Sequence, residues 1–230
     1  MLPLTDPPVL GLARGWRLQG GDLDESALGD ALRVDVMHFV KANTGYLGGY
    51  IALDKTHIIL HTVSLWTSES ALALSASTAD RVVDAIARLT AARVVGPTAH
   101  DVLHRHLDPS SSLNSRSVQG AADVEAMRAH IVVLEGPGAV TPSTLAALTH
   151  HLEGTAVSAP GYVASLLLRS QTDAAVTVVA LWTNDEAAAR GVEVASGAFH
   201  ELVTGRAVEV TASGIHPVLV YEHPPTLGND

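Results

Sequence analysis

The sequence contains no cysteine and few basic residues. The absence of thiols excludes disulfides, thiolate nucleophiles and cysteine-ligated metals, which leaves histidine and carboxylate side chains as possible metal ligands. Lys and Arg number 14 against 24 Asp and Glu, so the net charge is −10. Nucleic acids and acidic membrane surfaces both call for a basic patch, and we therefore expect neither as a partner.

Long apolar segments are also lacking. No run of about 18 apolar residues is present, and the first ten residues do not form a basic-then-apolar signal. These features predict a cytoplasmic protein. At 230 residues and 47% hydrophobic, the chain is long and apolar enough to bury a sizeable core.

The sequence does contain an internal repeat. Tyr46 and Tyr162 match at an offset of 116 positions, and at the same offset Trp66 matches Trp182 and His100 matches His216. A period above about 100 residues indicates two domains rather than a solenoid. We predict a tandem duplication with a first repeat over 9–107, a linker over 108–126 and a second repeat over 127–223.

Each repeat is predicted to follow the order β-α-β-β-α-β. In the first repeat a helix opens at Glu25, a strand runs over 57–66, and a single long helix extends from Ser68 to Ala91. In the second repeat, helices begin at Thr141 and Asn184. This order is the ferredoxin-like unit, whose helices cover one face of its sheet. The predicted fold class is therefore α+β, with two ferredoxin-like repeats packed sheet-to-sheet as a fused dimeric α+β barrel.

Two motifs then point to a family. A Gly-Tyr pair enters a strand at 45–46 and 161–162, and a Leu-Trp-Thr ends a later strand at 65–67 and 181–183. In this order they resemble the antibiotic biosynthesis monooxygenase family, whose usual unit is a small domain forming a homodimeric α+β barrel. The resemblance implies a cofactor-independent oxygenase that uses molecular oxygen as co-substrate, with haem-degrading relatives. It also allows further pairing of the fused chain into a homodimer.

The family's site residues are matched only in part. The resemblance implies an asparagine four residues before the tryptophan and a tyrosine about six after it. Thr62 and Leu72 occupy these positions in the first repeat, and Val178 and Ala188 in the second, so only the tryptophans carry over. A histidine on the second helix, as in the haem-degrading relatives, has a counterpart in His200.

The first repeat offers the more polar strand. Thr62, Ser64 and Trp66 alternate along it and should share one face, with two hydroxyls and an indole N–H directed to a pocket. The alternative is that Trp66 and Trp182 only fill the core, and that Thr62 and Ser64 are present only because they suit the geometry of a strand. We predict that the catalytic residues are Trp66, His61, His38, Thr62 and Asn43, and that the substrate-binding residues are Tyr50, Ser64 and Trp182.

The twelve histidines do not predict a metal site. On a strand, His57 and His61 would lie about 13 Å apart, too far to bind one ion. His104 and His106 would be about 7 Å apart and, with His100, form the better trio, although strand histidines that face solvent are commoner. We predict no metal.

The leading hypothesis is a cofactor-free monooxygenase that oxidises an aromatic polyketide-type phenol or anthrone to a quinone in secondary metabolism. His61 or His38 would act as base, and Trp66, Thr62 and Asn43 would hold the anion. The alternatives are a non-catalytic protein that binds aromatic metabolites, a haem-binding or haem-degrading protein, and a non-redox cyclase.

Overall fold

The structure is a computed structural model that describes residues 11–19, 28–30, 32–33, 37–56, 59–90, 93–108, 111, 124, 126–204 and 207–222. His57, the predicted helix start at Glu25 and most of the predicted linker lie outside the described residues. Among the helices described, none has the length and apolarity needed to cross a membrane.

The described chain divides into two compact units. One contains residues 11–99 and 218–222 and is called here the Trp66 unit; the other contains 100–217 and is called the Trp182 unit. The unit boundaries differ from the predicted repeat boundaries, because each unit takes part of the strand that ends the other repeat. β4 (Arg93–Leu107) and β8 (Glu209–Glu222) are those two strands.

The sheet of the Trp66 unit is antiparallel. β1 (Gly11–Gln19) pairs with β3 (Ile59–Trp66), β3 pairs with β2 (Tyr46–Asp54), and β2 pairs with the last residues of β8. A short helix, α1 (Met37–Lys41), precedes β2. The described core of the Trp66 unit contains Leu32, Ile51, Leu60 and Ile86. Apolar side chains outside the strands thus cover this sheet.

Two helices follow β3 where the sequence predicted a single one. α2 (Glu69–Leu74) starts at the predicted N-cap, with the Ser68 hydroxyl accepting from the Ala71 N–H, and ends at Ser75; α3 (Ala76–Thr90) follows directly. The Ser75 hydroxyl donates to the Leu72 carbonyl over 2.7 Å. Serine favours such local bonds to the backbone, and this bond accompanies the break in the helix.

The Trp182 unit repeats the order. β5 (Arg128–Glu135) pairs with β7 (Ala175–Trp182) and with the first part of β8, while β6 (Tyr162–Ser170) pairs with β7 and with the second part of β4. The predicted helix starts are confirmed: Thr141 is the N-cap of α4 (Pro142–His151) and Asn184 is the N-cap of α5 (Asp185–Val203). A π-helical turn, Leu152–Ala156, extends α4.

The α+β class is thus confirmed, with antiparallel sheets and helices in each unit. Gly45 and Gly161 show how closely the units correspond. Both have positive φ (84° and 83°), and a Cβ at either would lie 2.6 Å from the Cβ of an alanine, Ala71 or Ala187. Only glycine suits these positions. The geometry recurs in both units, while the origin of the repeat by duplication and its sheet-to-sheet packing stay predictions.

Candidate functional site

The Trp66 unit encloses a cavity of about 70 Å³. This is room for roughly five water molecules, or about one aromatic ring. Its walls come from the first part of β2 and the last part of β3, from α1 and the residue Asn43 after it, from the helix break and α3, and from one residue of β8. The lining residues are Met37, Val40, Asn43, Tyr46, Gly49, Tyr50, Ile51, Thr62, Val63, Ser64, Trp66, Ser75, Thr78, Val83, Ile86 and Val220.

Local structure fixes the indole of Trp66 in this wall. Tyr46 faces Trp66 across the β2–β3 pair, and a bulge follows between Tyr46 and Gly48. The two rings meet edge to face with centroids 5.5 Å apart, a favourable geometry for aromatic pairs. The Thr67 N–H donates to the Gly45 carbonyl over 2.9 Å and closes the strand end. Trp66 is buried and held on two sides.

The predicted polar face of β3 does line the cavity, since Thr62, Ser64 and Trp66 are all among its walls. The indole N–H of Trp66 donates to the Ser64 Oγ over 2.9 Å. The Ser64 hydroxyl in turn reaches the Arg14 carbonyl at 3.5 Å. The Trp66 donor is therefore engaged within the protein, and a ligand oxygen would have to displace Ser64 to accept from it.

Asn43 lines the cavity and also ends α1. Its Nδ2 donates to the carbonyls of Phe39 and Val40, at 2.8 and 3.2 Å, and its Oδ1 lies 3.4 Å from the Thr78 hydroxyl, which donates to it. These bonds hold the end of α1 next to α3. Asn43 thus shapes the wall of the cavity.

A buried cation lies behind this wall. The guanidinium of Arg14, on β1, donates to the Ser75 Oγ at 3.0 Å and to the Leu72 carbonyl at 2.7 Å. Arg14 is 8% exposed and Ser75 is 1% exposed. Burial lowers the pKa of Arg14, and the charge of Asp80 opposes that shift. Sequence reasoning missed both Arg14 and Ser75 as site residues.

The described cavity walls contain two titratable side chains, Tyr46 and Tyr50. Burial raises the pKa of both phenols above the ordinary tyrosine value, and the charge of Glu222 adds to the shift at Tyr46. Both are therefore neutral at physiological pH and serve as hydrogen-bonding and apolar wall, not as bases. Glu222 itself is paired with Lys41 at 2.6 Å.

The two histidines predicted as the base are not among the described lining residues. His61 lies next to Thr62 on β3, and successive strand residues face opposite sides. His38 is an exposed residue of α1 whose ring contacts Phe39. His200, linked to haem by the family resemblance, is exposed in the last turn of α5 and lines neither cavity described here.

His104, which is buried, and His106, which is half-buried, belong to a chain of polar side chains in the Trp182 unit. His104 Nε2 lies 3.1 Å from the Ser165 Oγ, the Tyr162 hydroxyl donates to Ser165 at 2.8 Å, and His106 Nδ1 lies 3.2 Å from the Tyr162 hydroxyl. Burial lowers the pKa of His104 despite the opposing charge of Glu153. The described residues contain no cluster of three metal-ligating side chains.

The Trp182 unit has a smaller cavity, about 20 Å³, at the corresponding place. Tyr162 contacts Trp182 as Tyr46 contacts Trp66, with ring centroids 5.8 Å apart. Here the indole lies against Gly191, where a Cβ would be 2.2 Å from the Trp182 ring. The indole N–H is buried without a hydrogen-bond partner among the described residues. The predicted substrate-binding residue Trp182 thus belongs to a cavity separate from that of Trp66.

Comparison with known proteins addresses the fold. No protein-family profile matches the sequence, and no curated protein matches it significantly. Solved structures do match. A protein proposed to be a monooxygenase from Fusobacterium nucleatum superposes with a TM-score of 0.65 at 12% identity, covering 94% of this chain and 95% of its own.

Two further structures agree. A protein proposed to be a monooxygenase from Lactobacillus acidophilus gives a TM-score of 0.62 at 13% identity, covering 93% and 96% of the two chains. An anthrone oxidase-like protein gives 0.57 at 16% identity, covering 96% of each. The chain has the fold of these monooxygenase-like proteins. The predicted resemblance to antibiotic biosynthesis monooxygenases is confirmed at the level of the fold.

Proposed function

We propose that the protein is a monooxygenase that oxidises an aromatic phenol of the anthrone type, and that the cavity of the Trp66 unit is its site. The observation that carries the proposal is the cavity itself, which combines an apolar enclosure with the polar groups of Ser64, Ser75 and Thr78. Such a combination is typical of small-molecule sites. The shared fold with an anthrone oxidase-like protein supports the same reading.

The volume limits how a substrate binds. About one ring fits inside, so a tricyclic anthrone would place its reacting ring against Trp66 and leave the remainder at the mouth. The apolar walls, Val63, Val83 and Ile86, exclude water from the enclosed part. The ligand's oxygen would then meet the hydroxyls near Ser75.

The proposed reaction uses dioxygen and needs no added cofactor. The substrate anion gives one electron to dioxygen, and the resulting radical pair combines as a peroxide at the ring carbon. The peroxide anion takes up a proton equivalent to the one that the substrate lost, and loss of water from the resulting hydroperoxide leaves the carbonyl. In sum, one CH₂ and one O₂ become one C=O and one H₂O, so the substrate carbon is oxidised and dioxygen is reduced.

The protein's own contribution is to bind and stabilise the anion. None of the described lining residues is a histidine or a carboxylate, so the anion must form in solution or at the mouth of the cavity. Preorganised donors lower the energy of such a charge in a site from which water is excluded.

The test is oxygen consumption by metal-stripped protein supplied with an anthrone, together with mass spectrometry of the quinone formed under ¹⁸O₂. We expect one labelled oxygen per product and a rate well above autoxidation without protein. Trp66→Phe should reduce the rate, whereas Trp182→Phe, the matched change in the other unit, should not. A rate equal to autoxidation would refute the proposal.

The second candidate is a protein that binds aromatic metabolites without converting them. The lack of a base among the described cavity walls favours it, because turnover of a weakly acidic substrate would be slow. Binding of the same anthrone, abolished by filling the cavity, with no oxygen consumption above the control would identify this function.

A further inference from the structure

The cation behind the cavity has no evident role in packing alone. Arg14 is almost fully buried, and both of its described hydrogen-bond partners, Ser75 and the Leu72 carbonyl, are neutral. A guanidinium stays charged in proteins. Burial of a charge without a directly bonded counter-ion costs free energy. An arrangement that retains this cost suggests a use for the positive charge.

The hydrogen bonds around Leu72 show what that use is. The Leu72 carbonyl accepts twice, from Arg14 at 2.7 Å and from the Ser75 hydroxyl at 2.7 Å. If the Ser75 hydroxyl rotates away, Leu72 keeps its bond from Arg14 and no buried acceptor is left unpaired. Ser75 lines the cavity. Its hydroxyl is thus a donor that can be redirected to a ligand at little cost.

Arg14 also strengthens that donor. It donates to the Ser75 Oγ over 3.0 Å, and a hydroxyl that accepts from a cation becomes a better donor in turn. Charge-assisted bonds to an anionic oxygen are roughly twice as strong as neutral ones. The Arg14–Ser75 pair therefore favours a negatively charged oxygen in the cavity over a neutral one.

We propose that the cavity of the Trp66 unit selects the phenolate form of its ligand, with Ser75 donating to the phenolate oxygen and Arg14 supplying the compensating charge. This rests on the proposed function, since it names the ionisation state of that substrate. Arg14 is a positioning residue that acts through Ser75. The selection replaces a general base, because the site captures substrate that has already lost its proton.

Three other charged residues act on the described cavity walls or on Arg14. Asp80, on α3, acts on Arg14 through space, Glu222 on β8 acts on Tyr46, and Lys41 pairs with Glu222. Both tyrosines in the wall are neutral. Of these charged groups, Arg14 is the one that is buried and donates a hydrogen bond to a wall residue, Ser75.

The Trp182 unit supplies a matched comparison. At the offset of 116 positions, His130 stands in place of Arg14 and Gly191 in place of Ser75. Burial, with the charge of His216, lowers the pKa of His130 to about 4, so its ring is neutral at physiological pH. That unit therefore lacks both the fixed charge and the hydroxyl, and it should show no preference for anions.

The test uses 4-nitrophenol, a single-ring probe whose anion and neutral form differ in colour, and nitrobenzene as its uncharged counterpart. Absorbance titrations across pH give the affinity of each form and the pKa of the bound probe. We expect the phenolate to bind about tenfold more tightly than the phenol, which lowers the pKa of the bound probe by about one unit. Equal affinities for the two forms, or no binding, would overturn the proposal.

Variants of Arg14 distinguish an effect of its positive charge on the ligand from an effect on the structure of the cavity. Arg14→Gln should weaken phenolate binding about tenfold and change nitrobenzene binding less than twofold, Arg14→Lys should restore part of the preference, and His130→Gln should change neither. If Arg14→Gln does not fold, Ser75→Ala tests the same donor and should also raise the pKa of the bound probe. Equal weakening of both probes would show a purely structural role and refute the proposal.

The outcome is independent of turnover. 4-Nitrophenol binding needs no oxygen chemistry, so anion selection can hold even if the anthrone is not oxidised. Conversely, oxidation of the anthrone with unchanged rate in Ser75→Ala would leave the proposed function standing and remove this inference.

Discussion

The two units build the same framework around a tryptophan and surround it with different chemistry. In both, a Gly-Tyr turn enters one strand, and the tyrosine meets the indole at the end of the next. Around Trp66 the nearby positions carry Ser64 and Ser75, whereas around Trp182 they carry Ala180 and Gly191. The framework is thus independent of the hydroxyls of Ser64 and Ser75, which have no counterpart at positions 180 and 191 of the Trp182 unit.

The difference also sets cavity size. Val83 lines the larger cavity and its counterpart Phe199 lines the smaller one. Gly191 lets the Trp182 ring occupy space that a side chain would fill, while Ser75 keeps a hydroxyl beside the Trp66 cavity. Substitution at a few positions is enough to change a ligand-sized cavity into a packed core.

The largest expected difference between the units is their response to acid. Among the described histidines, the four whose pKa burial lowers are His100, His104, His130 and His151, and all belong to the Trp182 unit. His130 binds a proton below about pH 6.5 in the unfolded chain but only below about pH 4 in the folded one. The free energy of unfolding should fall through this window as pH drops, by about 3 kcal/mol from His130 alone.

Hydrogen exchange followed by mass spectrometry at pH 7 and pH 4.5 would resolve the two units. Protection should fall more in peptides of the Trp182 unit than in those of the Trp66 unit, after correction for the intrinsic exchange rate. His130→Gln should reduce that loss. An equal loss of protection in both units would contradict the proposal that the buried histidines make the Trp182 unit more sensitive to acid.

The second difference concerns Gly191. Gly191→Ser copies Ser75 into the other unit but places a Cβ 2.2 Å from the buried Trp182 ring. Overpacking of this kind should lower the free energy of unfolding by about 2 kcal/mol, measured by urea titration. Gly197→Ser on the same helix is the control, because a Cβ there meets nothing within 4 Å. Similar stability of the two variants would show that the indole moves aside freely.

The third prediction concerns position 83, where the Trp66 unit has Val and the equivalent position 199 of the Trp182 unit has Phe. Val83→Phe should weaken 4-nitrophenol binding more than about tenfold, since the added ring takes most of the space for one aromatic ligand. The reciprocal Phe199→Val should enlarge the other cavity without creating phenolate selectivity. Isothermal calorimetry measures both, and unchanged affinity in Val83→Phe would place the ligand elsewhere.

The smallest expected effect distinguishes the indole of Trp66 from that of Trp182. Trp66→Phe removes a hydrogen bond to Ser64, whereas Trp182→Phe removes a buried N–H that has no partner among the described residues. Trp66→Phe should therefore lower the free energy of unfolding by about 1 kcal/mol more than Trp182→Phe. Urea titration of both variants checks this, and the reverse order would show that the Trp182 N–H is satisfied.

The sequence was most informative where local chemistry decides the structure. The N-cap at Ser68 and the helix starts at Thr141 and Asn184 are as predicted. The break at Ser75 was missed because neither glycine nor proline marks it. The shared face of Thr62, Ser64 and Trp66 followed from strand alternation, and the same rule argues against their neighbour His61.

Arg14 could not be assigned from the sequence. Its partners lie 58 and 61 positions away, and an arginine on a strand is most often exposed. Only the folded chain brings it beneath Ser75. Asn43 was predicted to hold an anion, yet the structure commits its amide to the end of α1 and to Thr78. The catalytic and substrate-binding roles of all these residues stay predictions.

The edge-to-face contact between Tyr46 and Trp66 has a practical consequence. An aromatic ligand in the cavity would lie against an indole that is buried and held by Tyr46 and Ser64, so its binding should alter the fluorescence of Trp66. Replacement of Trp16 and Trp182 by Phe removes the competing signal of the other two tryptophans in the chain. The fluorescence of Trp66 thus reports whether a ligand occupies the cavity, and compound collections can be screened by this signal without attaching a dye.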